Sequence, residues 1–176
     1  MTSDFGPWYS KPTPSARLSP KDVLQAQVVR ACPLTAQWIT KAQVEMAWET
    51  EKIKLDADVV HKGVLSMMQS PDQGFYYVAV VEGFLLGCCL ILKEWSDWRC
   101  QNVWWLHSVY VLPEYRKQEV FTKILKAVET DAKSQDAAGI RLYVDKTNTN
   151  AIEVYQKTGF DGEHYRLFEK MFPKVT

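Results

Sequence analysis

Residues 103–128, VWWLHSVYVLPEYRKQEVFTKILKAV, decide the architecture. The apolar run from Val103 to Val111 reads as a strand, and Pro113 breaks it. A short loop carrying Arg116, Lys117 and Gln118 follows, and from Val120 the apolar residues return at helical spacing. Val120, Phe121, Ile124, Leu125 and Val128 form one continuous face that a sheet would cover. A strand, a loop the size of a phosphate and a helix N-terminus predict a site for an anionic cofactor, because the first N–H groups of a helix have no intrahelical acceptor.

On the N-terminal side, Phe75 to Val81 and Phe84 to Lys93 are apolar runs joined by Glu82-Gly83, a hairpin turn that makes them antiparallel strands. They lead into a loop from Trp95 to Asn102. Thr35 to Lys54 reads as a helix capped by Thr35, with Ile39, Val44, Ala47 and Trp48 on its apolar side and Glu45, Glu49 and Lys52 on another. A second helix covers Asp58 to Gln69, and a first strand is placed between Pro20 and Arg30. On the C-terminal side a helix runs from Val120 to Gln135, a strand from Ile140 to Asp145, a helix from Thr149 to Thr158 and a final strand from Tyr165 to Phe172.

The chain of 176 residues is 47% hydrophobic, enough for one sizeable core. Lys plus Arg and Asp plus Glu number 21 each, so no overall field favours nucleic acid or an anionic membrane. Cys32, Cys88, Cys89 and Cys100 show no CxxC spacing, and no metal site is expected. Adjacent Cys88 and Cys89 should point to opposite faces of a strand as buried thiols in a reducing compartment. With no secretory-type leader and no apolar run near the roughly 20 residues that span a bilayer, a cytoplasmic location is expected. Pro7, Pro12, Pro14 and Pro20 mark residues 1–22 as a tail in which Phe5, Trp8 and Tyr9 could dock. Residues 23–176 are read as one domain.

Residues 141–160, RLYVDKTNTNAIEVYQKTGF, repeat the strand, loop and helix order. Asn148, Ala151, Tyr155, Gly159 and Phe160 match the pattern Asn-x-x-Ala-x-x-x-Tyr with trailing Gly-Phe, and Arg116 opens a loop placed like Arg/Gln-x-x-Gly-x-Gly/Ala. Together the two segments resemble the GCN5-related N-acetyltransferases, over roughly residues 75–160. The loop departs from the pattern, since Glu119 and Phe121 stand where small residues are usual. The resemblance implies an α/β fold with a mixed, mostly antiparallel, seven-stranded sheet flanked by helices and splayed at the strand Val103 to Val111. It also implies an acetyl-CoA-dependent N-acetyltransferase that acts on a primary amine of a small molecule or peptide. Dimerisation is common in the family, so a homodimer is compatible with the resemblance.

By that resemblance, the backbone of Val109, Tyr110 and Val111 pairs with the pantetheine arm of acetyl-CoA. Arg116, Lys117, Gln118, Glu119, Val120, Phe121 and Thr122 cradle the pyrophosphate, and Asn148 hydrogen-bonds the cofactor or a water. Tyr155 is the general acid for the departing thiolate. The family fixes no base, and Glu94 and His107 are the candidates, His107 because its ordinary pKa of about 6.5 suits proton transfer at neutral pH. Trp95, Asp97 and Trp98, with Glu49 on the first helix, combine aromatic faces and carboxylates that suit a cationic amine. A rival reading is a CoA-binding or protein-interaction module that has kept the fold without turnover, and Glu119 is the residue that favours it.

Overall fold

The computed structural model describes residues 18–172, so Phe5, Trp8 and Tyr9 lie outside the described residues. The chain divides into two compact units, Met1–Leu142 and Tyr143–Thr176.

The first unit opens with a short helix, α1 (Pro20–Val23), where the sequence suggests a strand or the end of a tail. Ser19 and Asp22 form a reciprocal capping box and Pro20 sits at the first helical position, which together nucleate a turn of helix. Strand structure therefore begins only at β1 (Gln27–Arg30). Helices α2 (Ala36–Glu51) and α3 (Ala57–Met68) follow. Asp56 caps α3 through the N–H groups of Asp58 and Val59. Thr35 does not cap α2 with its side chain, because its hydroxyl donates to the Cys32 carbonyl at 2.7 Å.

Strands β2 (Gly74–Val81), β3 (Phe84–Ser96) and β4 (Gln101–Val111) form an antiparallel meander, and β5 (Gly139–Arg141) adds in parallel beyond helix α4 (Val120–Ser134). The β2–β3 turn has positive φ at both Glu82 (47°) and Gly83 (82°), as a two-residue hairpin loop requires. The expected loop from Trp95 to Asn102 shrinks to a tip, because β3 and β4 pair as far as Ser96 and Gln101. Strand order is β1-β2-β3-β4-β5.

Five strands are therefore present among the described residues, not seven. Residues Tyr165 to Phe172, expected as the last strand, lie in none, and the described residues of their unit include no other strand to complete a ladder. The regular element of that second unit is helix α5 (Thr149–Lys157).

Both faces of the sheet are covered. Val78, Tyr76, Cys88 and Tyr110 pack with Ala36, Ile39 and Ala42 of α2 and Val64 of α3. On the other face lies α4, whose buried stripe Val120, Ile124, Leu125, Val128 and Ala132 recurs at helical spacing. The phenol of Tyr77 donates a hydrogen bond to Asp131 of α4, and Arg30 pairs with the same carboxylate at 3.1 Å. Cys88 and Cys89 are fully buried, one toward each layer, and burial pushes the Cys88 thiol up to about 12. Cys100, at the β3–β4 tip, is instead exposed. No helix among the described residues is long and apolar enough to cross a membrane.

Gly87 marks a close approach. A Cβ built there would lie 2.8 Å from the carbonyl oxygen of Tyr110 and 3.4 Å from Ile124 Cδ1. The first of these neighbours is backbone and cannot rotate away. Gly87→Ala should therefore lower stability by about 1–3 kcal/mol, the usual cost of overpacking, read as a fall in the urea midpoint with an unchanged m-value.

Candidate active site

The site is organised by β4. Its pairing with β3 slips between Cys88 and Leu90, because three steps on β4, from His107 to Tyr110, oppose two on β3. The extra residue is a β-bulge at Ser108, whose φ is 51°. Plain alternation puts His107 on the same face as Val109, but the bulge shifts the phase. Leu90 opposes His107 and Cys88 opposes Tyr110, and Leu90 and Cys88 both belong to the core beneath α2 and α3. His107 and Tyr110 thus share the α2 face. Half-burial lowers the His107 pKa below its ordinary value.

On its other edge β4 pairs with β5 only from Val103 to Trp105. Residues 106–111 run on without a strand partner on that side among the described residues.

After Pro113 the chain turns through Arg116 into a loop in which Lys117 (φ 60°) and Glu119 (φ 65°) are both left-handed. Glu119 is the N-cap of α4, yet its side chain makes no cap hydrogen bond and is exposed to solvent. Its carbonyl accepts the first helical bond, from the Lys123 N–H at 3.0 Å. The remaining first-turn donors sit at the positive end of a fifteen-residue helix dipole. Gln118 donates to the Glu114 carbonyl at 2.9 Å, while its own side-chain oxygen is buried with no partner. Lys123 is held by the Leu24 carbonyl at 2.8 Å.

Two residues expected in separate roles meet each other. The guanidinium of Arg116 forms a bidentate pair with the Glu49 carboxylate, one arm at 2.7 Å, and its Nε donates to the Val111 carbonyl at 2.9 Å. Hydrogen bonding to Arg116 is the main cause that lowers the Glu49 pKa, and the same contact raises that of Arg116. One turn earlier on α2, Glu45 accepts a hydrogen bond from the Tyr110 hydroxyl at 3.2 Å. Burial, reinforced by the Glu45 charge, pushes the Tyr110 phenol up to about 12.

Glu94 is also engaged. It accepts from the Trp105 indole N–H at 2.7 Å and from Arg141 at 2.9 Å, while the Trp105 ring lies 6.0 Å from His107. Trp95, next along β3, projects to the opposite face, because Glu94 opposes Val103 and Trp95 opposes Asn102. The base candidate Glu94 and the expected acceptor residue Trp95 thus lie on two sides of the sheet. Trp98 stands 87% exposed at the tip, and its backbone N–H donates to the Asp97 carboxylate at 2.9 Å. A groove of about 480 Å³ between β1 and α4 lies on the face away from His107, and its Arg30 and Lys123 already have partners, so volume is a poor guide to the site here. No group of three or more metal-ligating side chains gathers among the described residues.

The pattern of the acetyltransferase (GNAT) family matches residues 36–160, well over half of the chain. The chain belongs to the acetyltransferase (GNAT) family. A crystal structure of a possible acetyltransferase from Clostridium difficile 630 is similar with a TM-score of 0.79 at 31% identity, covering 85% of this chain and 99% of that one. Thialysine N-epsilon-acetyltransferases of Bos taurus and Mus musculus are 33% and 37% identical over 75 residues. That match spans 43% of this chain and 44% of those relatives, less than half their length. A ribosomal-protein-alanine N-acetyltransferase from Brucella melitensis, at 11% identity and a TM-score of 0.70, shares the fold.

Within this GNAT chain, the residues of the downstream motif have local tasks in the second unit. Asn148 caps α5, accepting from the Ala151 N–H at 3.1 Å. Gly159 (φ 92°) ends the helix in a Schellman turn, with Phe160 N–H to Tyr155 carbonyl at 3.0 Å and Gly159 N–H to Gln156 carbonyl at 3.1 Å. The rings of Tyr155 and Phe160 meet edge to face, 5.9 Å apart. Sequence reading missed the Tyr110–Glu45 and Arg141–Glu94 contacts, which join residues far apart in the chain.

The departure at Glu119 also acquires a physical meaning, since the usual small residue falls where φ is positive. Glu119→Gly should therefore raise stability by about 1 kcal/mol by relieving the left-handed strain, measured by urea unfolding. A drop would show that the loop does not hold that conformation in solution.

Proposed function

We propose that this chain transfers an acetyl group from acetyl-CoA to the amine of a cationic small molecule or peptide. The observation that carries the reading is the meeting of two backbone features, the edge of β4 that has no strand beside it past Trp105 among the described residues and the N-terminus of α4 with no side-chain cap. The first offers hydrogen bonds to an amide-bearing arm and the second offers N–H groups to a diphosphate, so the residues present fit acetyl-CoA. That co-substrate supplies the activated thioester.

Val109, Tyr110 and Val111 would bind through their backbone, and residues 117–122 through their amides, which survive the substitution of the usual small residues. Lys117 and Lys123 add local positive charge. Tyr155 would give its proton to the leaving thiolate and Asn148 would support the cofactor side. His107 is the preferred base, because burial keeps its imidazole neutral and able to accept a proton at pH 7. Glu94 and Glu49 are less suited to hold an acceptor cation, because each already faces an arginine. Glu45 meets a neutral phenol and, at 3.6 Å, Lys41, and is the better candidate to face an ammonium group. Trp105, on the His107 side of the sheet, would line the same space, with Asp97 and Trp98 at the hairpin tip beyond it.

A non-catalytic CoA-binding or protein-interaction module is the second reading, favoured by the carboxylate of Glu119 beside the phosphate cradle. Titration calorimetry with acetyl-CoA, with CoA and ATP as controls, tests binding first, and absence of selective binding would sink the enzyme reading. Thialysine is the first acceptor to assay, because the relatives are named for it.

Given turnover, Tyr155→Phe should reduce kcat by about 100-fold or more, the usual range for a lost general acid. An unchanged kcat would remove Tyr155 from that role. The pH profile gives a separate test. Since the His107 pKa is depressed, the acid limb of kcat/KM should lie at lower pH than the titration of an unperturbed imidazole. His107→Gln should abolish this acid limb, and persistence of the limb would assign it to another group.

A further inference from the structure

We infer that Glu49 and Arg116 form a positioning pair that fixes the anion-binding loop to α2 and to the end of β4, and that Arg116 is not itself a phosphate ligand. The inference rests on the reading of residues 117–122 as a phosphate cradle.

The geometry argues for it in three ways. Arg116 presents five N–H donors in a rigid fork, and three of them are used inside the protein. Two go to the Glu49 carboxylate oxygens and one goes to Val111, the last residue of β4. The two faces of the pair are therefore anchored in regular structure. Glu49 lies in the C-terminal part of α2, and its own carbonyl accepts a hydrogen bond from Lys52 at 3.2 Å.

Position in the chain matters as much. Arg116 is the residue immediately before the two left-handed positions, Lys117 and Glu119, neither of which is glycine. Such conformations are disfavoured for residues with a Cβ and persist only when their surroundings impose them. A clamp at the loop's entrance, with buried Val120 of α4 at its exit, holds both ends of the strained segment. The side chain of Tyr110 extends the grip. Its ring lies 5.6 Å from the Arg116 guanidinium and its hydroxyl reaches Glu45, one turn before Glu49, so α2 holds β4 at two levels.

Charge points the same way. A guanidinium already facing a carboxylate in a bidentate pair adds little net field to an approaching phosphate, and breaking the pair to free it would leave Glu49 as an unmatched anion near the site.

The two possible roles of Arg116 predict opposite signs for one substitution. Were Arg116 a phosphate ligand restrained by Glu49, Glu49→Gln would release it and tighten acetyl-CoA binding. As a positioning pair, Glu49→Gln and Arg116→Gln should each weaken acetyl-CoA binding by about tenfold, and the double variant should be no weaker than the poorer single one. Arg116→Lys should not restore binding, because an ammonium cannot span both the carboxylate and the Val111 carbonyl.

Hydrogen exchange on the ligand-free protein supplies a reading independent of acetyl-CoA. Amides from 116 to 120 should exchange faster in either single variant, while those in the middle of α4 stay protected. Tighter binding in Glu49→Gln, additive losses in the double variant, or unchanged loop exchange would each overturn the inference. If the unmodified protein fails to bind acetyl-CoA at all, the functional reading falls, while the exchange experiment still decides the pair.

Discussion

A β-strand has two hydrogen-bonding edges, and among the described residues β4 is paired along nearly all of one edge but along only three residues of the other. Much of the remaining architecture follows from that inequality. β3 fixes β4 in the sheet, β5 ends opposite Trp105, and the bulge at Ser108 twists the portion beyond it. Backbone groups in that portion must find partners other than a neighbouring strand, because unpaired polar groups inside a protein are costly. A sheet that carries such an edge needs rigid support from both faces, and the helices supply it.

That support is asymmetric in kind. On one side α4 presents an aliphatic stripe, joined to the sheet by the hydrogen-bonded triad of Tyr77, Asp131 and Arg30. On the other, α2 contributes both an apolar face and the acidic pair Glu45 and Glu49, which reach the last residues of β4 and the loop beyond it. Gly87, pressed against the Tyr110 carbonyl, lets β3 follow the bulged strand closely enough for α4 to pack over it. Hydrophobic packing sets the layers, and a few directed polar contacts set where β4 ends and the loop begins.

The features readable in the sequence are those written into neighbouring residues. The Glu82-Gly83 turn, the stripe of α4 and the strands on either side of the hairpin depend on local conformation and on periodicity, and they appear close to where the pattern put them. The phase of β4 past His107 was not legible, because one residue with positive φ reverses the alternation and no residue type announces it. Nor was the fate of Arg116 and Glu49, 67 positions apart, since each reads equally well as a surface charge or a ligand until the fold brings them together. Glu119 was legible as a departure from the family pattern, but its conformational meaning required the backbone. The segment Tyr165 to Phe172 lies in no strand, since apolar side chains alone do not supply the neighbouring strand that a ladder needs.

Cys88 and Cys89 sit side by side at the centre of the sheet, one thiol beneath each helical layer and neither with any exposure. A thiol reagent added to the folded protein meets Cys100 first, at the hairpin tip, and reaches the inner two only when the central strands part. The chain thus carries its own stopwatch, in which slow alkylation of the inner pair times the opening of its most protected region against a fast signal from the surface.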